Sequence, residues 1–397
     1  MTSSSRWLLP EGIEELLPEE AASMEALRRT LLDVLQRWGY ALVSPPLVDY
    51  LDSLLTGLGA ELDSQTFKMT DRLSGKLLGL RADMTPLVAR IDARATDKTS
   101  CNRLCYAGTV LHAVGDPLEK TRSPYQIGAE LYGYPRLAGD LEVIRLMLEV
   151  LAQSQVLNVH LDLGHVGIYR LLSEQAALSK EQEATLFAAL QAKARAEVTA
   201  MLAEWALPDA LRKALNLLTE LHGGEDVLSR AQAQLQTVAG AGINAALADL
   251  RSLAEQLAIS HPGLPISFDL AELRGYRYHT GLVFAAFVPE IGRELARGGR
   301  YDNVGAVFGR ARPATGFSAD LKMLARLGQG QVVPEAGQRI FAPVADDADL
   351  AVKVAELRAQ GLTVIQALPD CPMRPEDWQC TGLLVKQAQG WQVQSVD

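Results

Sequence analysis

Cysteine is scarce in this sequence, and the spacing of the few that are present argues against two kinds of site. The 397 residues include Cys101, Cys105, Cys371 and Cys380. Cysteines spread this widely do not form the dense disulfide framework of small secreted proteins. They also lack a C-x-x-C pair with a matching histidine or cysteine partner, which zinc sites use. We therefore expect neither a disulfide scaffold nor a bound metal.

Long apolar runs and an excess of basic residues are missing as well. No stretch approaches the roughly 18 apolar residues of a membrane helix, and the opening MTSSSRWLLPEGIEELLPEE lacks the apolar core of a signal peptide. With 38 Lys and Arg against 48 Asp and Glu, the formal net charge of −10 argues against a dominant basic face for nucleic acid. These features predict a cytoplasmic protein that does not bind membranes.

The chain has an ordinary globular composition, with 48% hydrophobic and 22% charged residues, and is long enough for two or three domains. Strand patterns precede and follow residues 171–258, which are rich in Ala, Leu, Glu and Gln at helical spacing. We predict an α+β domain over residues 1–326, in which a mostly antiparallel sheet is interrupted by this helical insertion. A linker after Leu327 precedes a small α/β unit, residues 327–397.

The first predicted helix suggests self-association. Residues 18–38 carry a wide apolar stripe at helical spacing, and Gly39 ends the helix. The strand that follows contains Pro45 and Pro46, which cannot donate to a sheet, so this strand should end there or lie at an edge. Because an uncovered stripe would lie in water, we expect the helix and the strand to form a dimer interface.

Three polar, glycine-containing stretches are candidates for a binding site: LRADMTPLVAR, YQIGAELYG and LRGYRYHTGLVF. Singly, each is equally typical of a solvated turn, and the spacing of Gln126 and Glu130 fits one face of either a helix or a strand. Together they offer carboxylates, a hydroxyl, an amide, tyrosines and an arginine, which suit a zwitterionic ligand with an aromatic ring. The candidate residues are Asp83, Thr85, Gln126, Glu130, Arg274, Tyr278 and His279.

His112 is a further candidate, within RLCYAGTVLHAVGD. Apolar and small residues alternate loosely there, and Gly115 with Asp116 supplies a turn, so we predict a strand that ends near Val114. A lone histidine in an apolar strand is more often structural than a ligand contact. The stretch by itself leaves both interpretations open.

In this order, the stretches resemble the class II aminoacyl-tRNA synthetases and, within them, histidyl-tRNA synthetase, over about residues 6–325. WGYALVSPPLVD is similar to class II motif 1, LRADMT to L-R-P-E-G-T, and YQIGAE to F-H-Q-F-G-V-E. LRGYRYHTG is similar to the histidine-specific R-G-L-D-Y-Y-T-G, while GGRYDNV and TGFSADLKML are similar to G-G-R-Y-D and to motif 3. The resemblance implies a synthetase-like antiparallel sheet flanked by helices, and a dimer through motif 1.

Two positions that handle ATP in that family differ here. Where the family's motif 2 has F-R-Y-E, this chain has LHAV, so His112 replaces the arginine that holds the α-phosphate. In motif 3, Met323 replaces the arginine that contacts adenine and the γ-phosphate. Since His112 stands at the end of a site strand, we place it at the edge of the pocket.

A histidine pocket without these arginines resembles the regulatory subunits of the short-form ATP phosphoribosyltransferase, which acts in the first step of histidine biosynthesis. This resemblance implies a non-catalytic chain that needs no cofactor and binds no tRNA. It further implies assembly with a separate catalytic subunit, in a hetero-octamer, and feedback regulation by L-histidine. Two alternatives stay open: an active histidyl-tRNA synthetase-type ligase, and a stand-alone histidine sensor.

The resemblance also assigns the candidates their roles, position by position. The α-ammonium group of histidine would meet Asp83, Thr85 and Gln126. Glu130 would accept from the imidazole N–H, Arg274 would bind the carboxylate, and Tyr278 would close over the ring. His279 stands where the synthetase has a second tyrosine, which changes the contact expected on the ring.

Overall fold

The computed structural model describes residues 8–55, 60–94, 101–115, 121–272, 278–328 and 338–396. The chain divides into two compact units, Met1–Gln331 and Val332–Asp397. No helix in these described ranges has both the length and the apolar character required to cross a bilayer.

Helices and strands alternate irregularly in the first unit. Its helices are α1 (Pro18–Arg37), α2 (Leu51–Leu55), α3 (Ala60–Gln65), α4 (Thr85–Arg94), α5 (Leu137–Gln153), α6 (Val166–Gln175), α7 (Lys180–Gln191), α8 (Arg195–Glu204), α9 (Asp209–Leu217), α10 (Asp226–Gln234), α11 (Ala241–Ser260) and α12 (Leu321–Leu327). Its strands are β1 (Ala41–Leu42), β2 (Val48–Tyr50), β3 (Lys68–Thr70), β4 (Leu77–Leu80), β5 (Asn102–Thr109), β6 (Tyr125–Tyr132), β7 (His160–His165), β8 (His222–Gly223), β9 (Ile266–Asp269), β10 (Leu282–Val288), β11 (Arg293–Arg300) and β12 (Ala314–Asp320).

One large sheet organises this unit. Its nine strands have the order β1-β5-β6-β12-β11-β10-β7-β9-β8, and β2, β4 and β3 form a separate small sheet. Strand β1 is parallel to β5 and β7 is parallel to β9, whereas the central strands pair antiparallel. This confirms the predicted α+β fold with a mostly antiparallel sheet.

The predicted helical insertion is also confirmed. Helices α6 to α11 follow β7 and precede β9, and the two-residue strand β8 lies among them. They bury a continuous set of leucines, each at most 1% exposed, which explains the apolar spacing of the sequence: Leu172, Leu186, Leu190, Leu202, Leu215 and Leu250.

The apolar stripe of α1 is not available to a second chain, contrary to the expectation from its spacing. Leu27, Leu31, Val34 and Leu35 are at most 4% exposed, and they join the main core of their own chain. The helix does end as predicted, with Gly39 at φ +82° just after its last turn. Spacing alone could not tell a stripe that meets the chain's own sheet from one that meets another subunit.

Exposed apolar residues lie instead on the small sheet that follows. Because Tyr50, Leu78 and Met69 are cross-strand neighbours, their side chains share one face of this sheet, with Val48 two residues before Tyr50. Val48, Tyr50 and Met69 are between 39% and 44% exposed. We call Val48, Tyr50, Leu78 and Met69 the small-sheet face.

Strand β5, which precedes His112, ends earlier than predicted. Strand β5 stops at Thr109 rather than near Val114. Beyond it the backbone N–H groups alternate between two sides: Val110 and His112 donate to carbonyls at 124 and 122, whereas Leu111 donates to Arg81. The chain stays extended but has no regular ladder with a single neighbour.

The second unit is a small α/β unit, as predicted. It contains β13 (Arg339–Ala342), α13 (Ala348–Ala359), β14 (Thr363–Gln366), β15 (Gly382–Gln387) and β16 (Gly390–Ser395). The sheet order is β14-β13-β15-β16. Its own core consists of buried apolar residues from the sheet and from α13: Ile340, Ala342, Leu350, Val354, Leu357, Val364 and Leu384.

Candidate ligand-binding site

The site is built on the middle of the large sheet, where glycines leave room for one acidic side chain. Glu130 on β6 pairs with Gly316 on β12, and a Cβ at residue 316 would lie 1.6 Å from Glu130 Oε2. Gly128, also on β6, lies under the Tyr106 hydroxyl, which a Cβ there would approach to 2.5 Å. Only glycine fits at these two positions, because any larger residue would fill the space of the Glu130 and Tyr106 side chains.

Glu130 is held by three hydroxyl groups. It is 1% exposed, and its Oε1 accepts from Thr85 Oγ1 at 2.9 Å and from Tyr106 OH at 3.0 Å. Its other oxygen accepts from the Tyr301 hydroxyl. Among the described residues, no lysine or arginine hydrogen-bonds to this carboxyl group. The centre of the site is therefore acidic and closed off from water.

Burial raises the pKa of Glu130 from its ordinary value of 4.5 to about 8, and the nearby Asp83 carboxylate contributes in the same direction. The hydroxyls of Thr85, Tyr106 and Tyr301 stabilise the carboxylate but do not offset the loss of hydration. With only these protein groups around it, Glu130 keeps its proton near neutral pH. A bound cation or N–H donor would favour release of that proton.

A second polar group forms where α4 begins, beside Glu130. Gln126 Nε2 donates to Asp83 Oδ1 at 3.1 Å, and Gln126 Oε1 accepts from the Met84 backbone N–H at 3.0 Å. The Thr85 backbone N–H also lies 3.3 Å from Asp83 Oδ1. Since the Thr85 hydroxyl also reaches Glu130, hydrogen bonds connect the four candidates Asp83, Thr85, Gln126 and Glu130.

Tyr278 packs against the tyrosines of the site. Its ring stacks on Tyr301 with centroids 5.0 Å apart, and it meets His279 edge to face at 5.3 Å. The Tyr278 hydroxyl is buried and has no hydrogen-bond partner within the described part of the chain. Burial raises its pKa, and the Glu130 and Asp83 carboxylates raise it further. A buried hydroxyl without a partner, near two carboxyl groups, is the kind of group that a ligand can satisfy.

Two candidates remain, His112 and Arg274. His112 lies beside the pocket rather than in its centre: its Nε2 contacts the Ala82 carbonyl at 3.0 Å, just before Asp83. Since a carbonyl only accepts, Nε2 carries the proton, and the ring supports the backbone of the Asp83 segment. Arg274 lies outside the described residues.

The other arginines of the LRADMTPLVAR stretch serve the fold. Arg81 is 8% exposed and donates to the backbone carbonyls of Thr109 and Pro45, at 3.0 and 2.5 Å. Arg90 pairs with Asp49 and donates to Ser53 at 2.8 Å. Both guanidinium groups are engaged within the protein.

At the positions that differ from the synthetase pattern, no side chain offers a guanidinium group to a phosphate. Met323 is 8% exposed and belongs to the main apolar core. Arg122, which faces His112 across the extended chain, donates to the His112 and Ala113 carbonyls at 2.9 and 2.7 Å and lies over the Phe67 ring. Val114, where that pattern has a glutamate, is an exposed apolar residue.

Two tyrosines of the site were missed at the sequence level. Tyr106 on β5 is fully buried, and Tyr301 directly follows β11. Tyr301 stands in the quoted motif GGRYDNV, and this motif was the available signal. Tyr132 adds a third ring, edge to face with Tyr301 at 6.3 Å.

The described residues contain one group of side chains that could hold a metal ion, and it lies outside this pocket. One ligand atom from each of Asp162, Asp269 and Glu272 falls within 4.8 Å of the other two. Lys193 already pairs with Asp269, and Ser267 donates to Asp162 at 3.0 Å. Protein groups therefore balance part of its charge.

Glu130→Gln should change the pH dependence of stability. Because the unfolded chain loses this proton near pH 4.5 and the folded chain near pH 8, wild-type stability falls as pH rises through that window. We expect the free energy of unfolding of the wild type to drop by on the order of 3 kcal/mol relative to the variant between about pH 5 and pH 9. Urea unfolding at fixed protein concentration measures this, and a pH-independent difference would contradict it.

Comparison with known proteins identifies a shared fold. Residues 12–324 match the family model for histidyl-tRNA synthetase, and residues 337–394 match the ATP phosphoribosyltransferase subunit HisZ C-terminal domain. A histidyl-tRNA synthetase structure from Nostoc sp. PCC 7120 has a TM-score of 0.76 at 19% identity, covering 96% of this chain and 92% of that one, which shows the shared fold. A Bacillus halodurans structure described as an ATP phosphoribosyltransferase regulatory subunit/histidyl-tRNA synthetase has a TM-score of 0.81 at 26% identity, covering 94% and 96%.

Similarity in sequence is higher still to curated regulatory subunits. The ATP phosphoribosyltransferase regulatory subunit of Methylococcus capsulatus is 57% identical over 92% of this chain and 90% of its own length. That of Pseudomonas savastanoi is 52% identical over 99% of both chains. The chain therefore belongs to the ATP phosphoribosyltransferase regulatory subunits, a family with a histidyl-tRNA synthetase-like domain.

Proposed function

We propose that this chain is the non-catalytic, histidine-sensing subunit of a short-form ATP phosphoribosyltransferase and that its pocket binds free L-histidine. In this role it is required for the first step of histidine biosynthesis, in the cytoplasm, and makes that step subject to feedback. The observation that carries the proposal is the buried Glu130, whose three hydroxyl partners leave it without a basic partner among the described residues. Such a group favours a ligand that brings an N–H donor or a positive charge.

The arrangement of the pocket supports histidine in one orientation. The imidazole N–H would donate to Glu130. The buried Tyr278 hydroxyl would find its missing hydrogen-bond partner in the imidazole ring. The α-ammonium group would lie against the polar group formed by Asp83, Thr85 and Gln126. Arg274 is assigned to the carboxylate, while His279 and His112 border the site.

The proton on Glu130 gives binding a defined electrostatic change. With protein groups alone around Glu130, its raised pKa keeps the carboxyl group neutral near pH 7. On binding, this proton would be released to solvent and a ligand N–H would take its place beside the carboxylate, since hydrogen bonds to the charged form favour that form. Charge-assisted hydrogen bonds of this kind are shorter and stronger than neutral ones.

The chain is proposed not to aminoacylate tRNA. The side chain of Met323 packs in the core, and that of His112 hydrogen-bonds to the Ala82 carbonyl. Neither position offers a guanidinium, whose two parallel donors match a phosphate group. Without these contacts the pocket retains amino-acid recognition and lacks the groups that would activate the amino acid with ATP.

The partner is proposed to be the short-form catalytic subunit, in a hetero-octamer. The proposal is supported by the names of the curated relatives and by the match of residues 337–394. Purified catalytic subunit assayed with and without this chain tests it. We expect complex formation, increased phosphoribosyltransferase activity and inhibition by histidine. Histidine binding without association with the catalytic subunit would instead indicate a stand-alone sensor.

Within that assembly we propose that two copies of this chain pair through the small-sheet face. Introducing charges by the double substitution Val48→Asp and Met69→Asp should convert the dimer to a monomer, because each buried carboxylate would lack a partner. Sedimentation of this chain alone at micromolar concentration measures the change. Leu157→Asp, at a residue that is 55% exposed and lies outside this face, is the control. A wild-type monomer, or a dimeric double variant, would contradict this interface.

A further inference from the structure

Residues 279–281, which directly follow Tyr278 of the pocket, are held by hydrogen bonds from a helix outside the pocket. In helix α6, the first helix of the insertion, Arg170 Nη2 donates to the His279 carbonyl at 2.8 Å and Nη1 reaches the Thr280 carbonyl at 3.4 Å. The first backbone N–H of the same helix, from Val166, donates to the Gly281 carbonyl at 3.0 Å. Helix α6 thus holds three consecutive carbonyls that immediately follow Tyr278.

The same segment also hydrogen-bonds to the end of strand β11, next to Tyr301. The Thr280 N–H donates to the Arg300 carbonyl at 2.7 Å, and the Thr280 hydroxyl accepts from the Asp302 N–H at 3.0 Å. Tyr301 lies between those two contacts. Backbone contacts thus fix the chain just after Tyr278 and on both sides of Tyr301, and they support the stacking of the two rings.

Arginine suits this task because its planar guanidinium presents donors in a fixed fork, so that two neighbouring carbonyls fix its orientation. A lysine ammonium would retain one contact without the directional constraint. Arg170 is half-buried, and Tyr169 beside it is fully buried in the core of the insertion. Movement of α6 would consequently be transmitted to the Tyr278 segment.

We propose that Arg170 is a positioning residue of the ligand pocket, which places Tyr278 over the ligand and couples the helical insertion to its affinity. The proposal rests on the proposed function, since the ligand it invokes is histidine. By linkage, a partner that moves α6 would change histidine affinity, and histidine would change the affinity for that partner by the same factor. Arg170 does not touch the ligand; it acts through Tyr278.

Calorimetric titration of the full chain with L-histidine tests this. We expect Arg170→Met to raise the dissociation constant about tenfold, because Tyr278 would then be correctly placed in only about a tenth of the molecules, and Arg170→Lys to recover part of that loss. Arg230→Met is the matched control, because Arg230 also donates to a backbone carbonyl in the insertion, that of Glu220. Its dissociation constant should stay within about twofold of the wild type.

The action through Tyr278 is tested by repeating Arg170→Met in a Tyr278→Ala background. The added loss should fall below about twofold there, because coupled residues are not additive. An equal loss in both backgrounds, or no loss from Arg170→Met alone, would overturn the proposal.

Failure of the proposed function gives a different result, since the wild type would then show no histidine binding at all. Hydrogen exchange of the ligand-free chain decides the positioning role in that case. Exchange at the Thr280 amide should become faster in Arg170→Met and stay unchanged in Arg230→Met. Unchanged exchange at Thr280 in Arg170→Met would overturn the positioning role itself.

Discussion

Histidine-dependent exchange of pyrophosphate into ATP should be at least about 10⁴-fold slower with this chain than with a histidyl-tRNA synthetase. Loss of one preorganised transition-state donor costs roughly a hundred- to a thousandfold, and two are missing here, although such losses are not strictly additive. Met323 and His112 stand at those positions, and both are engaged in the fold.

The exchange assay requires an active synthetase under the same conditions and a parallel histidine titration of this chain. The titration shows that the pocket is folded and occupied while exchange is absent. Turnover of about 1 s⁻¹ or more, which is within the range of ordinary enzymes, would contradict the account and establish a ligase.

Glu130→Ala should weaken histidine binding by one to two orders of magnitude. The variant removes a charge-assisted hydrogen bond worth about 1.5–3 kcal/mol, and it leaves the hydroxyls of Thr85, Tyr106 and Tyr301 without their shared acceptor. Calorimetric titration of the isolated chain measures the dissociation constant. A value equal to that of the wild type would mean that histidine does not contact Glu130.

Two further variants separate binding from folding. Glu149→Ala removes another carboxylate that accepts from an aromatic side chain, the Trp38 indole at 2.8 Å, outside the pocket. Its histidine affinity should match the wild type. If Glu130→Ala does not fold, Glu130→Gln preserves the volume of the side chain and removes its ionisation, and we expect it to bind histidine at least about tenfold more weakly.

The sequence predicted the framework of this molecule well because its signals are local. Alternating strands, the leucine-rich insertion and the glycine after α1 each reflect a preference within a few neighbouring residues. Asp83, Thr85, Gln126 and Glu130 could be singled out as ligand candidates because they stand in short motifs at the ends or along the length of predicted elements. Hydrogen bonds connect these four residues in the structure.

What the sequence did not reveal depends on contacts between distant segments. Tyr301 reaches Glu130 across 171 residues of chain and Tyr106 reaches it across 24, so neither is visible as a pattern around the carboxyl group. The destination of the α1 stripe depends likewise on tertiary packing. The early end of β5 arises because its continuation hydrogen-bonds alternately to two neighbours, which no periodicity in one segment encodes.

The central claim is that histidine regulates the catalytic partner through this pocket, and one measurement tests it directly. Complexes are reconstituted from the short-form catalytic subunit with wild-type chain or with Glu130→Ala, and each inhibition curve is normalised to its own activity without histidine. The account predicts half-inhibition at roughly 10- to 100-fold higher histidine with the variant. Superimposable curves would contradict it and would place the inhibitory histidine outside the Glu130 pocket.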